Sequence, residues 1–134
     1  MLKKILYIIL ACALLGGATA VYLWNKPHKK VENAEGIKIT ALDLYKAYTA
    51  DENKANALYL NKAIEVSGEV SEIDKNQDGG NMIILATGDA IINVQCAMRE
   101  KSATATKGQQ LTIKGFCSGS SITGISLTDC VINK

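Results

Sequence analysis

The sequence predicts a mainly β fold: a small closed barrel of five short strands, preceded by two short helices and by an N-terminal apolar segment. Three observations predict it. Residues 5–24 carry no charge, apolar residues recur at helical spacing from Thr40 to Asn61, and from Ala63 onward they alternate with polar residues at the period of a strand. The chain has 134 residues, which leaves room beyond the apolar segment for one domain of about 100 residues.

The N-terminal segment has the length of a membrane-spanning helix. Residues 5–24, ILYIILACALLGGATAVYLW, run for twenty residues without a charge, about the number that crosses the hydrocarbon core. A cleavable signal peptide is the alternative, because residues 1–4 form a positive, cytoplasmic n-region and Ala18-Thr19-Ala20 fits the small-x-small cleavage pattern. The segment is therefore expected to be a transmembrane anchor, or a signal segment that is cleaved near Ala20.

Charge alone does not orient this segment. Lys3, Lys4 and the terminal amine precede it, and three lysines follow it, so the positive-inside count is nearly tied. Residues 25–39 contain the single proline and are predicted to be a juxtamembrane tether, followed by the folded domain at residues 40–134. His28, a lone histidine within the tether, is typical of plain surface rather than of a ligand.

Two short helices are predicted at the start of the domain. Thr40 is placed to cap the first, with Asp43 near the positive end of its dipole. The second starts near Asp51 and ends around Asn61. Their apolar faces are expected to pack on the strands downstream, since helices this short are not stable alone. These faces hold Ala41, Leu44 and Tyr48 in the first helix, and Ala55, Leu58 and Tyr59 in the second.

Five strands are predicted after the helices. Gly68, inside the first, indicates a bend or bulge, and a connection lies between the third and fourth. A strongly bent sheet of five short strands is typical of an OB barrel. The strands are AIEVSGEVSEI from Ala63, NMIILA from Asn81, AIINVQCAM from Ala90, QLTIKGFC from Gln110 and ISLTDCVIN from Ile125; in the third, Ile92, Val94, Cys96 and Met98 share one face.

The loop DKNQDGG, residues 74–80, matches the first half of a calcium-binding loop. The twelfth position of that loop requires a bidentate Glu, whereas this chain has Leu85 there, within an apolar strand. Asp, Asn and Gly are also the residues that hairpin turns prefer. The stretch is therefore predicted to be a turn, and no metal is expected.

Several short motifs together resemble a known family. YLNKAIEVSGEV before and within the first strand, VQC in the third, KGFCSG at the end of the fourth and ISLTDCVI in the fifth are similar to the tRNA-anti-like OB-fold proteins of bacteria. The resemblance covers residues 40–134. It implies an OB fold in an anchored or exported protein without an established activity, and fold alone does not supply one.

Two cysteines of the domain, Cys117 and Cys130, flank a predicted hairpin. If Thr123-Gly124 forms a two-residue turn, equal steps outward bring Cys117 opposite Cys130, with their Cα atoms about 4.5 Å apart. A disulfide between them is predicted. Zinc usually takes four ligands and a redox pair is usually C-x-x-C, and neither pattern is present. Cys96 is expected to be a buried free thiol, although a bridge from it to Cys130 is conceivable.

A disulfide implies an oxidising compartment. The predicted location is therefore the inner (cytoplasmic) membrane, spanned once, with the domain outside the cytoplasm. The alternative is a secreted or periplasmic protein released by cleavage near Ala20.

Composition and motifs favour a binding function over an enzymatic one. From Val31 onward ten basic residues face thirteen acidic ones, a net charge of −3, which argues against binding driven by phosphates. The predicted strands hold one aromatic residue, Phe116. We expect a non-enzymatic, membrane-tethered interaction module without a cofactor, whose partner is an unknown protein or small ligand. The alternative is a single-stranded nucleic-acid binder. No catalytic residue is predicted, and Asp129 is expected to be a surface charge.

Overall fold

The computed structural model describes residues 1–25 and 30–133. The helices are α1 (Leu2–Trp24), α2 (Ala41–Ala50) and α3 (Glu52–Tyr59), and a 3-10 turn covers Val31–Asn33. The strands are β1 (Ile37–Thr40), β2 (Ala63–Lys75), β3 (Asn81–Leu85), β4 (Asn93–Met98), β5 (Gln110–Ser121) and β6 (Gly124–Asn133). The predicted mainly β class, the pair of short helices and the N-terminal apolar helix are confirmed.

Five strands pair in a closed ring. β2 is antiparallel to β3, β3 to β4, β6 to β5 and β5 back to β2, while β4 and β6 are parallel. This order, with one parallel pair that joins the third and fifth strands of the ring, is the arrangement expected of an OB fold. β1 is a sixth strand that was not predicted; it adds to β2 in parallel, with Ile37 opposite Ile64. Its four residues are too few for an alternating pattern to be recognised.

β2 belongs to both sides of the ring because it is long. Its first half, Ala63–Glu69, pairs with β5, and its second half, from Val70, pairs with β3. The irregularity predicted at Gly68 lies three residues later, where the register shifts between Val70 and Glu72. Gly68 has a different use, since a Cβ there would lie 3.1 Å from the Cβ of Ala41 on α2. The glycine thus allows the helix to approach the sheet closely.

The core lies inside the ring. The side chains of the inward faces are almost wholly shielded from solvent, and α2 adds Ala41, Leu44 and Tyr48, as predicted. On α3 only Ala55 is buried, whereas Leu58 is 54% exposed, so the predicted apolar face of this helix is narrower than expected. The strand residues of the core include Ile64, Val66, Val70, Ile83, Leu85, Val94, Cys96, Met98, Ile113, Ile125 and Leu127.

Side-chain caps begin both short helices. The hydroxyl of Thr40 accepts a hydrogen bond of 3.0 Å from the amide of Asp43, as the sequence predicted. Asp51 caps α3 in the same way, accepting from the amide of Lys54 at 3.1 Å. Each cap satisfies a donor that the first turn of a helix leaves without a backbone partner.

The loop at residues 74–80 is a turn, as predicted. The side-chain oxygen of Asn76 accepts from the amides of Asp78 at 3.1 Å and Gly80 at 2.7 Å, and Gly79 has a φ of +75°. Leu85, at the position where a calcium loop needs its last ligand, is fully buried in β3. The Asn and Gly residues therefore close the β2–β3 hairpin.

The helix α1 is long and apolar enough to cross a membrane. Lys3–Trp24 has a mean hydropathy of 2.1, and none of it is buried against the rest of the chain. An N-terminal signal sequence fits the same description.

Part of the segment expected to be a tether belongs to the folded domain. Val31 is fully buried, and from Ile37 the chain is a strand of the sheet. The tether was expected at residues 25–39, and the second half of that range carries apolar residues that pack on the ring. His28 and its neighbours at 26–29 lie outside the described residues.

Candidate binding groove

A groove opens where β4 ends and β6 continues. β6 pairs with β4 as far as Met98 and Cys130, and its last residues run on beside the connection Arg99–Gln109. Within that described connection the chain forms turns and no helix, so the space beyond Met98 stays open. The groove has a volume of about 710 Å³, within the range of small-ligand sites. It is lined by Glu32, Met98, Glu100, Ala103, Thr104, Gln109, Leu111, Lys114, Cys130, Val131, Ile132 and Asn133.

The groove combines an apolar floor with a charged rim. Met98 and Cys130 are buried core residues at its base, and Leu111 and Ile132 pack against that core. The rim carries charges of both signs, from Glu32, Glu100 and Lys114. A concave apolar surface with a few polar groups at its edge is the usual composition of a binding pocket.

Arg99 holds one end of the groove together. Its guanidinium makes two parallel bonds to the carboxylate of Asp129 and a third to Glu32, the last at 2.5 Å. Asp129 has a φ of 54° and lies at the register shift of β6, so the bulge aims its side chain at Arg99. The bonds to Asp129 and Glu32 raise the pKa of Arg99, and the bond from Arg99 lowers the pKa of Glu32. The 3-10 turn is thereby fastened to β4 and β6.

Lys114 forms a second, more enclosed ion pair at the same rim. Its Nζ lies 3.6 Å from Glu65, and the two side chains are only 11% and 13% exposed. The same Nζ donates to the carbonyl of Glu32 at 3.4 Å. The backbone at Gly36 packs closely against this pair: a Cβ at this position would lie 2.7 Å from the Cγ of Glu65, so a larger residue would not fit without a shift.

The loop before β4 is tied to α2 rather than to the groove. Asp89 accepts hydrogen bonds from the amides of Ile91 at 2.8 Å and Ile92 at 2.9 Å, and from the hydroxyl of Tyr45 at 3.1 Å. These bonds, the one from Ile92 foremost, lower the pKa of Asp89. α2 thus supports the start of β4, whereas the groove begins at its end.

The predicted disulfide between Cys117 and Cys130 is wrong. All four cysteines, each within the described residues, are unbonded, and Cys117 lies opposite Leu127. The hairpin turn is Ile122-Thr123, one residue earlier than predicted. Each strand also contains one bulge residue, and a prediction that pairs residues at equal distances from the turn does not allow for bulges. The compartment that was inferred from this disulfide loses that support.

The two cysteines instead have separate partners. The sulfur of Cys117 is 3.3 Å from the hydroxyl of Tyr48, and burial together with this contact raises the pKa of Tyr48. Interaction with Cys96, together with burial, raises the pKa of Cys130. The expected buried thiol at Cys96 is confirmed.

Sequence reasoning missed the groove and the ion pairs on its rim. Asp129 was expected to be a plain surface charge, yet it is the bidentate partner of Arg99. One signal was available: Arg99 is the only arginine in the chain, and arginine is the side chain suited to a forked contact with a carboxylate.

The family follows from the whole sequence. The model of the tRNA_anti-like family matches residues 1–131. The chain belongs to the tRNA_anti-like family. The match extends beyond the 40–134 segment whose motifs indicated the family, and includes the apolar helix. No curated protein matches the chain.

Two solved structures are similar to this tRNA_anti-like protein to different degrees. One is the crystal structure of a "putative nucleic acid-binding lipoprotein" from Klebsiella pneumoniae subsp. pneumoniae, with a TM-score of 0.58 and 16% identity; the match covers 81% of this chain and 100% of that one. Another is a "putative aspartyl-tRNA synthetase" from Leishmania major Friedlin, with a TM-score of 0.46 and 12% identity, covering 82% of this chain and 22% of that one. At such identities the first likeness concerns the fold alone.

Proposed function

We propose that this tRNA_anti-like protein is a non-enzymatic, membrane-tethered binding module whose domain lies outside the cytoplasm and takes its ligand in the groove at the end of β4. The observation that carries the proposal is the groove itself: about 710 Å³, with Met98 and Cys130 at its base and charges of both signs on its rim. These properties match those of ligand-binding sites in general.

The chemistry of the groove indicates the kind of ligand. Leu111, Ile132 and the methionine would contact an apolar body of the ligand, while Gln109 and Asn133 offer amide groups near the rim. The carboxylates Glu32 and Glu100 disfavour a ligand whose recognised part is an anion. A small molecule or peptide segment with an apolar body and a neutral or cationic end therefore fits best.

The three methionines of the chain provide a test. Met98 lies at the base of the groove, Met82 on the outer side of β3 and Met1 at the N-terminus. In the full chain labelled at its methionine methyl groups and held in detergent, amphipathic fragments with a cationic end should shift the Met98 signal. Binders that move Met82 alone would contradict the groove as the site.

Matched variants sharpen this experiment. Leu111→Arg would fill the groove and should remove the shift of Met98. Leu42→Arg is the control, because Leu42 is an equally large but 44% exposed side chain on α2 that does not line the groove. Binding that survives Leu111→Arg would count against the proposal, provided both variants remain folded by circular dichroism.

A second candidate function is binding of single-stranded nucleic acid. It is favoured by the name of the Klebsiella structure, which shares this fold. OB folds that bind such strands use aromatic stacking and a basic groove, whereas the outer sides of β3 and β4 here carry Met82, Ile84, Gln95 and Ala97. A labelled oligonucleotide that is retarded by micromolar protein at low salt and shifts the Met82 signal would support this candidate over the first.

A further inference from the structure

The groove lies close in the chain to the apolar helix. Trp24 ends α1, and Val31 is fully buried in the domain. The Cα steps between these two residues span at most about 25 Å. The residue after Val31 is Glu32, which lines the groove. In the proposed membrane-tethered protein the groove is thus held near the bilayer, and bilayer lipids reach it at a high effective concentration.

The floor of the groove suits a hydrocarbon chain. Met98 and Cys130 are buried at its base, whereas Leu111 and Ile132 pack against the core and are only partly buried. A hydrocarbon chain laid over this surface would remove it from water, which is favourable. An acyl chain that comes from the bilayer exchanges one apolar environment for another, so its own transfer opposes binding little.

The charges on the rim favour a cationic headgroup. Lys114 is engaged by Glu65, at 3.6 Å, and the carboxylate of Glu32 is engaged by Arg99. Glu100 also lines the groove and is exposed. It belongs to none of the four ion pairs found within the described residues. Its carboxylate is therefore placed to accept from an ammonium group of the ligand.

We propose that the groove binds one lipid molecule of the bilayer that holds α1, a phospholipid with a primary ammonium headgroup. One acyl chain lies over Leu111 and Ile132, and the ammonium donates to the carboxylate of Glu100. The lipid occupies the groove of the proposed function and reaches it through the proposed tether, so the proposal rests on that function.

The test is photo-cross-linking of the full chain in nanodiscs of phosphatidylglycerol. The discs carry a minor share of phosphatidylethanolamine whose acyl chain bears a diazirine near its end. Trypsin then releases residues 108–114 as one peptide, which contains the groove residues Gln109, Leu111 and Lys114. Cross-links are expected both in this peptide and in α1. Cross-links in α1 alone would overturn the proposal, because the labelled lipid was then within reach and did not enter the groove.

Matched tryptophan variants show whether the labelled chain lies inside the groove. Ala103 lines the groove, so Ala103→Trp should fill it and remove the cross-links in residues 108–114. Ala57→Trp is the control, because Ala57 is exposed on α3 and does not line the groove. Cross-links in 108–114 that persist in a folded Ala103→Trp protein would contradict the proposal. The comparison of 108–114 with α1 in the wild type needs no variant.

The headgroup is tested with the same diazirine-bearing chain on phosphatidylglycerol, which shares the phosphate and lacks the ammonium. The wild type should cross-link phosphatidylethanolamine in 108–114 about two- to fivefold more, the size of an exposed ion pair. Glu100→Gln should abolish this preference. Glu72→Gln, at an exposed carboxylate of β2 outside the groove, should keep it. Equal labelling of the wild type by the two lipids would refute the contact with Glu100.

A soluble ligand separates this proposal from the proposed function. In nanodiscs without labelled lipid, phenethylammonium is titrated while the methyl signal of Met98 is followed. A shift of Met98 without cross-links in residues 108–114 would leave the groove as a binding site and exclude the lipid as its ligand. If neither a shift nor a cross-link occurred, the proposed function would fail as well.

Discussion

Arg99 joins three segments that are far apart in the sequence. Its guanidinium contacts Glu32 in the 3-10 turn and Asp129 at the bulge of β6, from its own position just after β4. The side chain of Arg99 is 29% exposed, and those of Glu32 and Asp129 are 45% and 38% exposed, so solvent partly screens these contacts. The fork of two parallel donors is a property that lysine does not have.

Arg99→Lys is therefore expected to destabilise the protein although the charge is kept. Loss of the bidentate contact should lower the free energy of unfolding by about 1 kcal/mol, measured by urea denaturation of the full chain in detergent. Lys107→Arg is the matched control, an exposed position in the same connection, and should change the free energy little. Equal effects of the two substitutions would show that the fork at Arg99 contributes nothing.

Asp89 predicts a dependence of stability on pH. The amides of Ile92 and Ile91 and the hydroxyl of Tyr45 lower its pKa in the folded state. Because the folded pKa lies below the unfolded value of about 3.9, the contribution of Asp89 is fully present above that value and is lost as the pH falls through the folded pKa.

Asp89→Asn should therefore lower the thermal midpoint at pH 6, and the difference from the wild type should shrink as the pH is lowered through 4 toward 2. Tyr45→Phe, which removes only one of the three donors, should show a smaller difference of the same sign. A difference between Asp89→Asn and the wild type that stays constant over this range would exclude the carboxylate as its source.

At the scale of the element, the caps predict how the two short helices respond to substitution. Thr40→Ala removes the acceptor for the amide of Asp43 and should cost about 1 kcal/mol. Thr49→Ala is the control, because the hydroxyl of Thr49 bonds back to the carbonyl of Tyr45 near the end of α2 and caps no amide. If urea denaturation gave the same loss of unfolding free energy for both substitutions, the Thr40 cap would not stabilise α2.

The irregular β5–β6 hairpin predicts an interaction between two of its residues. Gly115→Ala would place a Cβ 2.5 Å from the sulfur of Cys130 and 3.2 Å from the carbonyl of Thr128, so it should destabilise by about 1–3 kcal/mol. Cys130→Ala removes the sulfur, and Gly115→Ala should cost less in that background. A double-mutant cycle in reduced protein measures this coupling, and additive effects would show that the sulfur is not the obstacle.

Sequence patterns predicted the features of these elements that depend on local sequence, and missed those that depend on tertiary contacts. The alternation in β2 to β6 and the cap at Thr40 depend on neighbouring residues, so they were predictable. The β5–β6 hairpin contains two bulges, one in each strand. They depend on the contacts that each side chain makes across the ring, so counting equal steps from the turn did not predict them. The 3-10 turn and β1 were missed because so few residues show no period.

At the scale of the whole molecule, the candidate groove results from the combination of two features. The fold determines that β6 is parallel to β4, and the connection after β4 forms turns where a helix could have covered the end of the ring. This connection, REKSATATKGQQ, is short and contains threonines and a glycine, which are weak helix formers. The pairing of its Arg99 with Asp129 across β6 requires the tertiary structure, so the shape of the site was not predictable.

The distance between the anchor and the domain leads to the last prediction. Trp24 ends α1 and the buried Val31 belongs to the domain, and the seven Cα steps between them span at most about 25 Å. An uncleaved α1 in a membrane would therefore hold the groove, whose rim includes the adjacent Glu32, close to the bilayer surface. The mass of the protein from bacterial inner membranes should retain the N-terminal segment, and trypsin added to intact spheroplasts should digest the domain. A mature chain that begins near Val21 would establish the signal-peptide alternative, and a domain that is protected until the cells are lysed would place it in the cytoplasm.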